Sequence, residues 1–479
     1  MNETPLWTLD ALVAAVKGRV QGSPARAIGG VSIDTRTLQK GDAFFAIKGD
    51  RVDGHDYVAN AVAAGAGVSV VAEARVGDMP KGAPLVAVPD VLEALRALGR
   101  AARNRSTGKI LAVTGSVGKT SSKEMLRLAL SQDGETHASA ASYNNHWGVP
   151  LSLARLPSSA RYGVFELGMN HAGELTPLSV MVMPHIALIT TIEPVHIEFF
   201  SGIEAIADAK AEIFAGLASG GAVVLNRDNP QYDRLARAAR ALGIGEIAGF
   251  GEHAEAQARL LDVSLGAEGS AVRASILGDE VVYKIGVPGR HVVQNSLGVL
   301  ACVKLAGADL ALAALSLPNL LPPKGRGQRL VLTLPRGEAL LLDESYNANP
   351  ASMRAAIDVL GRAPVGPRGR RIAVLGDMLE LGAEAGVLHA GLARDLAAAK
   401  ADLVFCAGPL MKVLYDALPP ERRGGYAEDA ARIEPEVLSA LQPGDAVMVK
   451  GSNASRMHSI AASLMKTFSA REAAAGAAA

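Results

Sequence analysis

The segment KILAVTGSVGKTSSKEMLRLAL (residues 109–130) carries the sharpest chemical signal in the chain. An apolar run leads into Gly115-Ser116-Val117-Gly118-Lys119-Thr120 and then into helix-forming residues. Glycines at such a turn let backbone N–H groups close around phosphates, and the start of the helix favours the anion. Lys119 would reach the β/γ-phosphates of a nucleotide and Thr120 would ligate Mg²⁺. The usual spacing has a glycine five residues before Gly118, where this chain has Val113, so the loop reads as a shortened form that begins at Gly115. The competing reading is a glycine-rich turn with an incidental Lys-Thr. The strand before it and the helix after it argue for the phosphate loop.

Three further residues could complete that chemistry. Glu166 ends the apolar run YGVFEL, and a carboxylate at a strand C-terminus beside a phosphate loop is well placed for Mg²⁺. His196, in TTIEPVHIEFF, follows another such run, at the sheet edge where open α/β folds bind ligands. Lys210 lies in GIEAIADAKAEIFAGL (202–217), which reads as a helix with Ile206, Lys210 and Phe214 on one apolar face. An unpaired buried ammonium is costly. Either Lys210 reaches solvent along its stem, or it is chemically special. A lysine of depressed pKa could take up CO₂ as an anionic carbamate able to bind Mg²⁺.

These residues need a scaffold that brings strand ends together. The chain has 479 residues, enough for about three domains at roughly 150 residues each. Hydrophobic residues are 49% and charged residues 20%, which excludes a disordered chain. Lys+Arg and Asp+Glu are both 48 and aromatics only 4%, so neither net charge nor stacking rings argue for a nucleic-acid or anionic-membrane partner. Two cysteines, Cys302 and Cys406, are too few for a disulfide framework or a cysteine zinc site. With no signal-like N-terminus and no long apolar span, the expected location is the cytoplasm.

Residues 1–88 read as a small α/β unit with strands at 31–34, 42–49 and 68–73 and a helix at 57–66. Residues 89–325 read as a central unit: a helix from Val91, then strands at 109–113, 162–167, 186–192 and 222–226 alternating with helices. That alternation predicts a parallel sheet of the phosphate-loop type with helices on both faces. The stretch 317–327, LPNLLPPKGRG, reads as a linker. Residues 326–479 read as a third unit, a doubly wound, Rossmann-like sheet with strands at 339–343, 371–376, 402–408 and 445–451 and a helix at 351–361. The tail 472–479 is low in complexity and expected to fray.

Taken together, the short loop TGSVGKTSS (114–122), FELGMNHAGEL (165–175), SYNNHWGVPLSL (142–153), DESYNANPASMRAAIDVL (343–360) and AVLGDMLELG (373–382) resemble the Mur ligase family, ATP-dependent amide ligases of peptidoglycan synthesis. The resemblance covers nearly the whole chain. It implies ATP contacts from Thr114, Gly115, Ser116, Val117, Gly118, Lys119, Thr120 and Ser121, with Asn295, Arg326 and Glu344 from later segments. It also implies a Mg²⁺ environment of Thr120, Glu166 and His196, and a carbamylated Lys210. Glu344 stands where the family often has a second Asp. SIDTRTLQKGDAFFAIKG (32–49) with DGHDYV (53–58) resembles the UDP-binding segment, which implies substrate contacts from Ser32, Asp34, Thr35 and Arg36. The Arg36 guanidinium can fork two diphosphate oxygens. Asn144 and Asn145 join the substrate contacts on the same resemblance.

The Tyr346–Pro350 run points within the family to the branch that adds D-alanyl-D-alanine to a UDP-N-acetylmuramoyl-tripeptide. The implied reaction phosphorylates the tripeptide carboxylate and lets the dipeptide amine displace the phosphate, in an expected monomer. Polar anchoring must supply the selectivity, because methyl side chains discriminate by only about 1–3 kcal/mol each. Asn347, Asn349, Asp377, Lys450 and Ser452 all follow predicted strands of the third unit and are the candidate anchors. The alternative for Asp377 and Lys450 is that they merely pair with each other. Competing functions are a ligase adding the third residue, a folylpolyglutamate synthase-like ligase, and a nucleotide-gated binding module without ligase chemistry. No residue stands out as the base for the incoming amine.

Overall fold

The computed structural model describes residues 5–140 and 142–473, so most of the 472–479 tail lies outside the described residues. Glu472 is not frayed: it ends an edge strand, Ala470–Glu472, paired with Gln328–Leu334.

The first unit carries a five-stranded sheet. Val31–Ser32, Ala43–Phe45, Val68–Ala72 and Leu85–Val88 run parallel, and Arg19–Gln21 closes one edge antiparallel to Leu85–Val88. The strand expected at 31–34 stops at Ser32, because the Ser32 hydroxyl accepts from the Asp34 N–H and donates to the Asp34 carbonyl, which turns the chain. Helix Val91–Arg105 starts at an Asp90 cap and leads into the central unit. One apolar core runs from Trp7 and Leu12 through Leu95 and Leu98 to Val149 and Phe165, so the first two units are packed together. The Trp7 indole also donates to the Ala154 carbonyl at 2.9 Å.

The central sheet has nine strands. In spatial order they are Asp279–Ile285, Ser270–Ile276, Ala258–Leu265, Glu246–Gly251, Ala222–Asn226, Ile186–Ile189, Lys109–Thr114, Tyr162–Glu166 and Thr136–Ala138. Seven are parallel, the four expected and, beyond them, Thr136–Ala138, Glu246–Gly251 and Ala258–Leu265; Ser270–Ile276 and Asp279–Ile285 extend the edge as an antiparallel hairpin, so the sheet is mixed. The alternating burial of SAVRASI marks a sheet covered on one face only, and Leu277-Gly278, both at positive φ, make the tight turn. Separate apolar cores fill the two faces of the nine-stranded sheet.

The third unit is a seven-stranded sheet in the order Arg423–Ala427, Leu403–Ala407, Arg371–Gly376, Ala446–Lys450, Gly337–Glu344, Gln328–Leu334, Ala470–Glu472. Its first five strands are parallel, with helices Pro350–Arg362, Ala385–Ala398 and Met411–Ala417 on one face and Ala430–Ala440 and Met457–Thr467 on the other. This is the doubly wound arrangement expected, with two antiparallel strands added at one edge. Among the described residues no helix is long and apolar enough to cross a membrane.

Candidate active site

Three parallel strands deliver the phosphate loop and its neighbours to one edge. Glu166 is in register with Val113, and Ile189 with Thr114, so the ends of Tyr162–Glu166 and Ile186–Ile189 flank the loop. The loop then enters helix Lys119–Leu130. Two of its glycines are required by geometry. Gly115 has φ +143° and a Cβ there would lie 2.0 Å from Thr190 Oγ1; Gly118 has φ +84° and a Cβ would lie 2.6 Å from Asn295 Nδ2. Asn295 of helix Arg290–Leu305 therefore abuts the loop. Lys119 Nζ donates to the carbonyls of Gly115 (2.7 Å) and Ser116 (3.3 Å). Burial pulls its pKa down to about 8; Glu166 opposes that shift and Arg326 reinforces it.

The residues fit a hard cation. Thr120 Oγ1 and Glu166 Oε2 are both buried with no hydrogen-bond partner, while Glu166 Oε1 accepts from Asn144 Nδ2 at 2.8 Å. Two orphaned oxygens beside a phosphate loop suit Mg²⁺, which takes few protein ligands and completes its shell with water and phosphate. Consistent with that, no cluster of three or more His, Cys, Asp or Glu side chains able to hold a metal occurs among the described residues. Asn144, expected to touch substrate, thus orients the carboxylate.

Lys210 is 3% exposed, which removes the solvent-reaching alternative. The helix expected over 202–217 is Ile203–Ala211 followed by a 3₁₀ turn, Glu212–Gly216; it tightens where the Glu212 carboxylate turns aside to accept N–H groups of Gly173, Leu175 and Thr176. Lys210 makes no ion pair with any described residue. Burial drives its pKa well below the lysine range, and the nearby Lys119 charge adds to that. His196 adopts a left-handed backbone (φ 59°), and its Nδ1 hydrogen-bonds the Glu380 carboxylate of the third unit. Burial lowers its pKa in spite of that partner, and the charges of Lys119 and Lys210 act in the same direction.

The third unit forms the opposite wall of a cavity of about 450 Å³, lined by Lys119, Glu166 and His196 on one side and Glu344, Asn347 and Lys450 on the other. Glu344 and Lys450 are register partners on adjacent strands, with Nζ 3.6 Å from Oε2. Lys450 also donates to the Asn347 carbonyl at 2.9 Å. Desolvation pushes Glu344 up and Lys450 down, each opposed by the other's charge. Arg326 reaches across to Ser142 Oγ (3.3 Å) and lies 4.0 Å over the Tyr346 ring. Beside it an apolar slot is walled by Val287, Pro288, Val292, Leu320, Pro322 and Val359. The Pro-rich stretch read as a bare linker supplies part of that slot.

Other expected residues have structural partners. Asn349 caps helix Pro350–Arg362 through the Ser352 N–H. Asp377 accepts the Met411 N–H at 2.8 Å, and Ser452 Oγ accepts the Leu379 N–H. Asp377 does not pair with Lys450, whose carboxylate partner is Glu344. Of these three only Asn349 lines the cavity. Asn145 Oδ1 accepts the Gly148 N–H and helps to start helix Gly148–Ala154. In the first unit Arg36 forks the Asp34 carboxylate, holding that acid below its ordinary pKa, and the guanidinium is 86% exposed. Thr35 follows on the same turn, whereas Ser32 is buried. In DGHDYV, Asp53 and His55 form a strut: Asp53 bonds His55 Nδ1 and Arg75, and His55 Nε2 accepts the Ala72 N–H. A groove of about 980 Å³, lined by Arg96, Arg100, Asn145 and His171, shares Asn144, Gly168, Met169 and Asn170 with the central cavity.

This geometry has close counterparts. The Mur ligase family catalytic domain matches residues 27–104, the Mur ligase middle domain 113–303, and the Mur ligase glutamate ligase domain 328–453. The UDP-N-acetylmuramoyl-tripeptide–D-alanyl-D-alanine ligase of Escherichia coli (strain K12) is 33% identical over 461 residues, covering 96% of this chain and 98% of its own. The crystal structure of MurF from Acinetobacter baumannii superposes with a TM-score of 0.80 at 30% identity, covering 96% of this chain and 99% of its own. MurF from Thermotoga maritima, in complex with ADP, shares the fold at TM-score 0.73 and 23% identity, covering 92% and 97%. With the matching domains spanning the phosphate loop, Glu166, Lys210 and the Glu344–Lys450 wall, the chain belongs to the Mur ligase family.

Proposed function

We propose that the chain is an ATP-dependent ligase that joins D-alanyl-D-alanine to UDP-N-acetylmuramoyl-tripeptide and releases ADP and phosphate. The observation that carries this reading is the facing of two walls across one cavity: a phosphate loop with orphaned Thr120 and Glu166 oxygens, and a third-unit wall of Glu344, Asn347 and Lys450. Full-length similarity to ligases of that name supports the substrate pair.

A carboxylate resists attack by an amine because its charge is delocalised. Phosphorylation makes it an acyl phosphate with a good leaving group. The loop amides and Lys119 hold the phosphates of ATP, the slot beside Arg326 takes the flat base, and Arg326 draws the third unit onto the nucleotide. Mg²⁺, held by Thr120 and Glu166, would offset charge on the γ-phosphate and the attacking oxygen. Positioning and fixed charge supply most of the rate, as in other phosphoryl transfers. Lys210, buried and without an ion pair among the described residues, is the residue for carbamylation: its lowered pKa leaves a neutral amine to add CO₂, and loss of one proton would give an anion near Lys119. The UDP-peptide runs from the Asp34–Arg36 turn along the groove past His171 and delivers its carboxylate beside Asn144. Residues 1–88, 89–325 and 326–479 thus bind UDP-substrate, nucleotide and dipeptide respectively. ADP release measured with D-alanyl-D-alanine, diaminopimelate, lysine and glutamate in turn tests the reading. Release should depend on the dipeptide; release driven best by a single amino acid would replace it with another ligase of the family.

A further inference from the structure

The incoming dipeptide presents an amine that is mostly protonated at neutral pH, since α-amino groups titrate near about 8. A protonated amine has no lone pair for the acyl phosphate, so the cavity needs a proton acceptor on the side from which the dipeptide arrives. Three glutamates line the cavity: Glu166, Glu193 and Glu344. Glu166 is tied to Asn144 through Oε1, and its unpartnered Oε2 is the oxygen that would serve Mg²⁺. Glu344 faces Lys450. The Glu193 carboxylate has no hydrogen bond or ion pair with any described residue, although its backbone is fixed on both sides. Its N–H donates to Ser116 Oγ at 2.9 Å, and Ser116 Oγ donates to its carbonyl at 3.0 Å. The phosphate loop itself therefore sets where this carboxylate stands.

We propose that Glu193 is the general base of amide formation, accepting the proton of the dipeptide ammonium beside the acyl phosphate. The inference rests on the ligase reading above. One ammonium proton passes to a Glu193 oxygen and frees the nitrogen lone pair. The C–N bond then forms at the acyl carbon and the C–O bond to phosphate breaks. The second nitrogen proton leaves with the departing phosphate, and Glu193 returns its own proton to solvent.

The charged surroundings suit a carboxylate that must accept and release a proton. Burial raises its pKa, and Arg354 on helix Pro350–Arg362 is the cation that opposes that shift. The other titratable groups on the surrounding walls are Lys119, His196, Glu166, His291, Arg326, Glu344, Tyr346 and Lys450. Arg354 belongs to the same helix that Asn349 caps, so the cation acting on Glu193 comes from the third unit.

The test separates the two half-reactions in Glu193→Gln. Hydroxylamine, uncharged at neutral pH, traps the acyl phosphate as a hydroxamate without help from a base. Hydroxamate formation from ATP and UDP-tripeptide should stay at the wild-type rate, while amide formation with D-alanyl-D-alanine at pH 7 falls about 100-fold, the usual scale of general-base catalysis. The deficit should shrink towards pH 9 as the free amine becomes abundant, and Glu193→Asp should retain an intermediate rate. Amide formation within twofold of wild type at pH 7, or a parallel loss of hydroxamate, would overturn the assignment. Wild-type enzyme that yields no hydroxamate at all would overturn the ligase reading and Glu193 with it.

Discussion

Gly115→Ala tests whether the shortened loop is built to one shape. The new Cβ would lie 2.0 Å from Thr190 Oγ1 and 3.1 Å from the Thr190 backbone N. Ordinary contact needs more than about 3.4 Å, so the loop or Thr190 must shift by about 1.4 Å. Thr190 cannot yield freely. Its Oγ1 donates to the Val117 carbonyl at 2.5 Å, its N–H to the Thr114 carbonyl at 3.0 Å, and its carbonyl accepts Asn226 Nδ2 at 3.2 Å. The backbone at φ +143° adds about 1–3 kcal/mol of strain for a side-chain-bearing residue. Breaking one hydrogen bond adds about 1 kcal/mol. The expected destabilisation is therefore about 2–4 kcal/mol. A displacement of about 1 Å at the phosphates should cost about 100-fold in turnover. Urea denaturation followed by tryptophan fluorescence reads the first quantity and coupled ADP release the second. Gly115→Ala/Thr190→Ala removes the clashing oxygen and should recover part of both losses. A Gly115→Ala protein with wild-type midpoint and turnover would refute the reasoning.

Lys119→Ala should fold and lose at least about 100-fold in turnover, because it removes the cation on the transferring phosphate; near-normal ADP release would contradict that. Lys119 has a folded pKa of about 8, below its unfolded value of about 10.4, so between these values the unfolded chain binds more protons. Ligand-free stability should therefore rise with pH from about 8 to 10, and less so in Lys119→Met, as urea midpoints would reveal. Lys210→Ala should abolish turnover but leave UDP-substrate binding intact by calorimetry; a plain lysine mass in active, bicarbonate-replete enzyme would count against the carbamate. Glu380→Ala, which removes the partner of His196 across the two units, should weaken compaction by ATP analogue plus UDP-substrate in small-angle scattering. Unchanged compaction would show that this contact does not hold the units together.

What could be read in advance follows the range of the forces involved. The parallel strands were legible because burial on both faces leaves near-continuous apolar runs, as in KILAV and RIAVLG. The phosphate loop was legible because glycine, lysine and threonine act within one turn of the chain. The hairpin 270–285 does not share that signal, since its residues alternate between buried and exposed. Asn349 and Asp377 carry the polar side chains a binding site would need, yet both accept N–H groups at helix starts; the Asn349-Pro350 start is a local signal present in the sequence, whereas only the path of helix Met411–Ala417 reveals the role of Asp377. Glu193 gave no signal at all: its place depends on Ser116, 77 residues earlier, and on a helix from another unit. Lys210 lay between these extremes. The apolar face was visible in the sequence, but only burial at 3% with no described ion pair decided between reaching solvent and being enclosed.

The central claim is a bond between two named substrates, and the product's mass tests it most directly. Enzyme, ATP, Mg²⁺, UDP-N-acetylmuramoyl-tripeptide and D-alanyl-D-alanine should give a nucleotide-peptide heavier by one dipeptide less one water, with one ADP and one phosphate for each. Omitting ATP or the dipeptide should leave the UDP-tripeptide mass unchanged. ATP turnover without that gain in mass, or an equal gain from a single amino acid, would contradict the account.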